Sequence, residues 1–433
     1  MSRKILVLYL AITLAFMTAC SGMINVVYGY DEYIATGVRI TNKGNYFDVV
    51  LDYTTGISPW KMGSNYARAI LEMVPDYEEL VDSYISQTIT QYNYPYIAFR
   101  VEDIWPQVPE NYRMEIEGMA EQFSGGDNDL RGDNKISKNE FMLFNLFPDV
   151  YRWTQCSFVS VFGDYSDTGK NITARNLDWY GGDSNQLPQM QAVITIKYPD
   201  RQICMIGYMG YFGVLTAFND DKVYAAILDS SSGEPYDSTG RRSYPLDLRY
   251  ALENNSTIEG VAEFMMSFER NYTFNHLVSL ADPDKSVVLE NNFSGLGADM
   301  SRVKRAIRYS DSQLNKNIEW GIDNSIAAVN SFVLLGNADN HTTESFNVGR
   351  WKTIRDQLQK KGETVTVEEL KEVITYKEGK LKPLSETSFP YNRLTIQSIV
   401  FEPDTFGLQV YFRPKDSIAN PDIPIFESIK AFE

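Results

Sequence analysis

The hydrophobic pattern of this chain changes period at Cys156, and that change limits the fold more than any other feature of the sequence. Upstream, Tyr112, Ile116, Met119 and Phe123 recur at spacings of four, three and four, which puts them on one face of a helix. Pro109 and Glu110 sit where a helix start tolerates them. A second helical pattern covers 64–88, and 45-NYFDVVLDYTTG-56 is strand-like and ends in a turn. Downstream, apolar and β-branched residues alternate in 157-SFVSVFGDY-165, 191-QAVITIKY-198, 203-ICMIGYM-209 and 222-KVYAAILD-229, with turn signals between them. Helical patterns return at 257–270, 349–361 and 366–376. Helices, then strands, then both again predict an α+β fold of packed sheets with helical layers outside, and not a repeating parallel unit.

The first twenty residues predict an export signal. Arg3 and Lys4 precede an almost wholly apolar run from Ile5 to Met17, too short for a span of ~20 residues. The run ends in Met-Thr-Ala-Cys, which resembles a bacterial lipoprotein signal whose Cys20 becomes lipidated. Residues 21–44 are expected to be a linker. The expected location is outside the cytoplasm: a protein anchored to a membrane through Cys20, or a secreted one, lysosomal in a eukaryote. The formal charge of -17 argues against nucleic acid as a partner, since phosphate backbones are bound through a surplus of lysine and arginine.

Residues 127-DNDLRGDNKISKNEF-141 offer the spacing of a calcium loop, with Asp129, Asp133, Lys135 (through its carbonyl), Ser137 and Glu140 at the ligand positions. Arg131 stands where a ligating oxygen belongs, and Asn134 replaces the turn glycine. The alternative is a solvated acidic loop before a helix that begins at Ser137. No other cofactor is called for.

Of the three cysteines, Cys204 lies in an apolar run and reads as a small buried hydrophobe. Cys156 opens 155-QCSFVSVFGDYSDTGKNITARNLDWY-180. A reactive thiol ordinarily needs a neighbouring base, and the chain has only two histidines, His276 and His341, neither in a recognisable signature. Another route needs none. Cutting the bond between Gln155 and Cys156 gives Cys156 a free α-amine, whose ordinary pKa of ~7.7–8.0 lets it take the thiol proton near neutral pH. Without such a cut, Arg175 and Asp178 read as a salt bridge closing a hairpin around a buried thiol.

The segment resembles the N-terminal-nucleophile (Ntn) cysteine amidohydrolases: the acid ceramidase, N-acylethanolamine acid amidase, choloylglycine hydrolase and acyl-CoA:isopenicillin-N acyltransferase families. The matching residues are Cys156 at a strand start, the turn 164-DYSDTGKN-171 and then 175-RNLDW-179. Upstream, 115-EIEGMAEQF-123 and 140-EFMLFNLFPDVYRWTQC-156 are similar to the family's propeptide; downstream, 210-GYFGVLTAFNDDKVYAAIL-228 and 340-NHTTESFNVGRW-351 continue the likeness. The resemblance implies a four-layer αββα sandwich of two antiparallel sheets flanked by helices. It also implies a mostly helical propeptide or α-subunit over 45–155, which can remain bound after cleavage, and a catalytic β-subunit over 156–433.

By the same resemblance Cys156 is the nucleophile and its freed amine the base. Asp178 orients the amine, Arg175 lowers the thiol pKa, and Asn176 braces the backbone. The family's oxyanion asparagine aligns near Asp282, a departure, because a carboxylate is a poor oxyanion donor. Asn275, Asn337 and Asn340 are the other candidates, and Arg350 matches a family arginine in type. The implied activity is self-processing followed by hydrolysis of linear amides, N-acyl amines or amino-acid conjugates, with an apolar acyl group held as a thioester. Trp179, Tyr180, Tyr208, Tyr211 and Phe212 are the aromatic residues expected at an acyl pocket. Two other readings stand beside it: transfer of the acyl group to an amine, and an anchored binding protein that keeps the fold without catalysis.

Overall fold

The computed structural model describes residues 32–151, 155–230, 237–292, 304–337, 345–379 and 388–432. Ten strands form the larger sheet: β1 (Glu32–Ala35), β2 (Val38–Asn42), β3 (Phe47–Asp52), β6 (Gln191–Lys197), β7 (Gln202–Tyr208), β8 (Thr216–Asn219), β9 (Tyr224–Asp229), β10 (His276–Ala281), β11 (Ser286–Asn291) and β12 (Arg305–Arg308). Neighbours in that order are hydrogen-bonded. The smaller sheet runs β13 (Ser325–Val329), β4 (Ser157–Val161), β5 (Ile172–Asp178), β14 (Thr395–Glu402), β15 (Gly407–Phe412) and β16 (Glu427–Lys430). Among the described residues every strand pair is antiparallel except β3 with β6, which run parallel from Phe47 against Ala192 to Asp52 against Lys197.

The two sheets stack face to face, and alternation along each strand decides what each face meets. On β4, Phe158 points into the core shared with the larger sheet, while Val159 and Val161 point the other way. There they meet Ile354 and Leu358 of the helix Ser345–Gln359 and Leu370 and Val373 of the helix Val367–Ile374. The outer face of the larger sheet is covered by the helices Pro59–Met73, Tyr244–Asn254 and Ile258–Met266, and the helix Glu110–Ala120 packs on the first of these. This is the expected four-layer αββα sandwich.

Two helices of the first part cross closely because glycine faces backbone. A Cβ on Gly63 would lie 2.0 Å from the Glu115 carbonyl oxygen, and one on Gly118 would lie 2.0 Å from that of Trp60. The helical pattern read over 64–88 is two helices, Pro59–Met73 and Tyr77–Thr88, parted at Pro75, whose missing N–H ends the first. The interval 21–44 read as a linker is corrected from Glu32 onward: β1 and β2 pair there, with Val38 and Ile40 buried and Arg39 and Thr41 half-buried. Strands of four and five residues leave too short an alternation to stand out in sequence. The signal segment and Cys20 lie outside the described residues. Among the described residues no helix is long and apolar enough to cross a membrane.

Candidate active site

Cys156 immediately precedes β4, and the antiparallel pairing of β4 with β5 sets what lies beside it. Ser157 opposes Asn176, so the residue before β4 falls next to Leu177 and Asp178, and the Gln155 N–H donates to the Asp178 carbonyl at 3.1 Å. The hairpin expected from the sequence therefore forms, and it brings Cys156, Arg175 and Asp178 together. Their side chains reach opposite ways, as residues three apart on a strand must.

Arg175 crosses from the smaller sheet to the larger. One terminal nitrogen, Nη1, donates to the Leu215 carbonyl at 3.2 Å and to the Thr216 hydroxyl; Nη2 donates to the Ile227 carbonyl at 2.9 Å and lies 3.4 Å from the Cys156 sulfur. Arg175 is fully buried, and no carboxylate forms an ion pair with it among the described residues. Asp178, also fully buried, turns to the loop before β14, where its Oδ2 accepts from Asn392 Nδ2 at 2.6 Å and its Oδ1 from Thr395 Oγ1 at 2.7 Å. Burial pushes Asp178 up to about 6, against Arg350 and these two donors, which pull it down. Burial also raises the Cys156 thiol, which is 2% exposed; Arg175 and a backbone hydrogen bond from Asp178 oppose that, while the Asp178 charge adds to it. In this uncut chain burial wins, and the thiol stays protonated.

Two residues distant in sequence complete the cluster. Asn330, just past β13, accepts the Cys156 N–H on its Oδ1 at 2.6 Å and donates from Nδ2 to the Asp229 carbonyl at 2.8 Å. Arg350 donates to the Cys156 carbonyl, to Asn330 Oδ1 at 2.9 Å and to Asn347 Oδ1 at 2.7 Å. Arg350 was read from sequence; Asn330, Asn347, Asn392 and Thr395 were not. The one signal for Asn330 is its place directly after the apolar run Ile326–Val329, and it becomes informative only once Val329 is known to oppose Ser157. Asn176 donates to the Ile374 and Pro390 carbonyls at 2.8 Å, tying the smaller sheet to the helix outside it.

Asp282 lies elsewhere. Its Oδ1 accepts from the N–H groups of Asp284 and Lys285, closing the turn between β10 and β11. Asn275 donates to Asn292, and Asn337 donates to Glu290. Asn340 and His341 lie outside the described residues. His276 is buried and stacked on Tyr244 with ring centroids 4.5 Å apart, and Cys204 is buried in β7.

The loop read as a calcium site is held by protein groups. Asp129 Oδ1 accepts from Tyr94 and Ser137, and the Lys135 N–H donates to Asp133. The Asp82 carboxylate receives the N–H groups of Gly132 and Asn134, while Arg131 turns away to the Ser86 and Ile89 carbonyls. Ser137 and Glu140 cap the next helix reciprocally. Among the described residues no group of three or more His, Cys, Asp or Glu side chains gathers as a metal centre.

An apolar pocket is lined by neighbours of the cluster, while Cys156, Arg175 and Asp178 are not among its lining residues. From the part after Cys156 come Leu177, Trp179, Tyr208, Tyr211 and Leu215, the last being the residue whose carbonyl holds Arg175. Tyr84, Phe144, Phe147 and Pro148 of the part before it also line the pocket. Tyr180 and Phe212, expected here, are not among the lining residues. The cavity volume is about 30 Å³.

No family model matches the sequence, and no curated protein matches it. In structure the chain is similar to the Caenorhabditis elegans ortholog of N-acylethanolamine-hydrolyzing acid amidase (17% identity, 60% of this chain and 100% of that one, TM-score 0.43). It is also similar to the conjugated bile acid hydrolase of Clostridium perfringens (14% identity, 64% and 97%, TM-score 0.36) and to penicillin V acylase from Agrobacterium tumefaciens (14% identity, 59% and 83%, TM-score 0.36).

Proposed function

We infer that this chain is a self-processing cysteine amidohydrolase of the Ntn kind, acting on linear amides with an apolar acyl group. One observation carries the reading: the Cys156 sulfur lies 3.4 Å from a buried guanidinium, and the backbone nitrogen of the same residue lies 2.6 Å from the Asn330 amide oxygen. In the first step the sulfur bonds to the Gln155 carbonyl carbon, the peptide C–N bond breaks, and the Cys156 nitrogen takes a proton to become an amine. Water then hydrolyses the thioester, leaving a carboxylate on Gln155 and a free thiol on Cys156.

In turnover the amine takes the thiol proton, the sulfur attacks the substrate carbonyl, and the leaving amine carries that proton away. Water releases the acid and restores the thiol. Arg175 stabilises the thiolate, while Asn330, Asp178 and Arg350 hold the nucleophilic residue in place. The apolar walls beside the cluster support an apolar acyl group. The part before Cys156 stays attached after the cut: β3 is paired with β6 along six residues, and Arg249 of the later part forms a buried ion pair with Glu115 of the earlier one at 2.6 Å. Export, with anchoring at Cys20, belongs to the same reading.

Intact-mass measurement on purified protein tests it. The expected result is two fragments meeting at Gln155/Cys156 in the wild type and one unbroken chain in Cys156→Ala. An uncut wild type that still hydrolyses amides would falsify the mechanism.

A further inference from the structure

The Asp178 carboxylate is held by a turn that is itself held from behind. β14 carries one extra residue, Ile396, between the pairs Thr395–Asp178 and Gln397–Leu177, and a bulge of this kind re-aims the side chains beside it. The turn 392–395 leads into that bulge, and each of its ends serves both the turn and Asp178. Asn392 Oδ1 accepts the Leu394 N–H at 2.8 Å while its Nδ2 donates to the carboxylate. Thr395 Oγ1 accepts the Asn392 N–H at 3.1 Å and gives its own proton to the other carboxylate oxygen. Both donors therefore aim at Asp178 only while the turn keeps its shape.

Two buried side chains beyond β15 fix that shape. Asn420 Nδ2 donates to the Asn392 carbonyl at 2.7 Å and to the Thr395 carbonyl at 2.8 Å, bridging the ends of the turn. Arg413 donates from Nη2 to the Arg393 carbonyl and, at 3.1 Å, to the Thr395 carbonyl. Its Nε donates to Asn420 Oδ1 at 3.0 Å, and its backbone N–H donates to the carbonyl of the bulged Ile396 at 2.8 Å. Tyr411 gives the Asn420 oxygen a second donor at 2.9 Å, so the amide uses its whole hydrogen-bonding capacity. The Arg413 charge lies within electrostatic reach of Asp178.

Resting on the amidohydrolase reading, we propose that Arg413 and Asn420 are positioning residues for the reaction: they fix the turn whose two donors hold Asp178, and through Asp178 they hold Cys156 in place for attack. Neither touches the nucleophile. A turn that drifts by about 1 Å loses both bonds to the carboxylate, and misplacement on that scale lowers rate far more than binding.

The test is a double-mutant cycle between Asn420→Asp and Asp178→Asn, read as the rate at which iodoacetamide alkylates Cys156, located by peptide mass. Asn420→Asp keeps the shape and the acceptor for Arg413 and Tyr411 but removes both donors to the turn. It should slow alkylation about tenfold in the wild type and by under about twofold in Asp178→Asn, where the carboxylate to be positioned is gone. Arg413→Lys, which keeps the charge and loses the fork, should show the same coupling at about threefold and serves where Asn420→Asp does not fold. Lys377→Ala, which breaks the surface ion pair fastening the same segment at Asp422, should leave the rate unchanged. Equal slowing in both backgrounds, no slowing, or equal slowing by Lys377→Ala overturns the proposal. Turnover of hexanoyl 4-nitroanilide separates it from the reading beneath it. A lower kcat at unchanged KM, in step with alkylation, sustains both. Coupled alkylation with no anilide hydrolysed and no cut at Gln155 sustains the positioning and removes the amidohydrolase reading. Uncoupled alkylation in a protein that turns over removes the positioning alone, and a thiol that iodoacetamide never reaches removes both.

Discussion

Two fully buried arginines of this chain are answered in opposite ways. Arg249, on the helix Tyr244–Asn254, meets carboxylates: Glu115 at 2.6 Å and Glu253 at 2.7 Å, with Tyr112 stacked beneath it and Tyr198 in hydrogen-bond contact. Burial works against its charge, yet the paired carboxylates outweigh burial and hold it firmly protonated. Arg175 meets two carbonyls, a hydroxyl and a thiol. The first arrangement neutralises the cation where it stands. The second leaves the cation hydrogen-bonded to dipoles only, so on the proposed mechanism most of its attraction would remain for the negative charge formed on sulfur. A buried guanidinium without a carboxylate is therefore the better marker of chemistry, and one with two carboxylates the better marker of a seam.

Exchanging these arginines should separate the two roles. Arg175→Met should show the largest effect. A guanidinium 3.4 Å from a thiolate is worth roughly 4–5 kcal/mol at an effective dielectric of ~20, so labelling of Cys156 by an acyl-type electrophile should slow by about 10³-fold. Should labelling persist within threefold, Arg175 is no more than a tie between sheets. Arg249→Met should do the reverse: it strands Glu115 in the interior and lowers unfolding stability by about 3–5 kcal/mol in a urea titration, with the labelling rate unchanged.

Asp178 sharpens the contrast through pH. Its folded pKa of about 6 lies above the usual carboxylate value of 3.8, so the folded state binds the proton more tightly than the unfolded chain. Stability from this group is full below pH ~4 and is lost as pH rises through about 6, a change of about 3 kcal/mol. On the uncut Cys156→Ala background, Asp178→Asn should flatten that slope in denaturant titrations between pH 4 and 7. A slope that survives would assign it to another carboxylate. The smallest effect belongs to the seam: Tyr112→Phe removes one hydrogen bond to Glu253 and should cost about 1.5 kcal/mol, read as a lower midpoint in the same titration.

What the sequence disclosed follows from distance along the chain. Cys156, Arg175 and Asp178 lie within one hairpin, and the turn between β4 and β5 announces that hairpin locally, so their meeting was legible. Asn330, Thr395 and Asn392 reach the cluster from strand ends more than 170 positions away. No local pattern marks them; only the register of β13 and β14 does. Asp282 matches the family's asparagine only in sequence position, since it belongs to a turn whose geometry uses its carboxylate as a backbone acceptor. The helix Tyr244–Asn254 escaped for a different reason. Its buried face includes Asp247 and Arg249, so the polar residues that fill the seam broke the apolar period by which helices are recognised.

The parallel pairing of β3 with β6 has a consequence for the protein's history. As one chain, the molecule can melt and reassemble by a first-order search. Under the proposed scission at Gln155 the three leading strands would belong to a separate polypeptide, and reassembly would become a second-order encounter whose yield depends on concentration. The mature molecule would then owe its lifetime to the slowness of coming apart, having given up the easy route back.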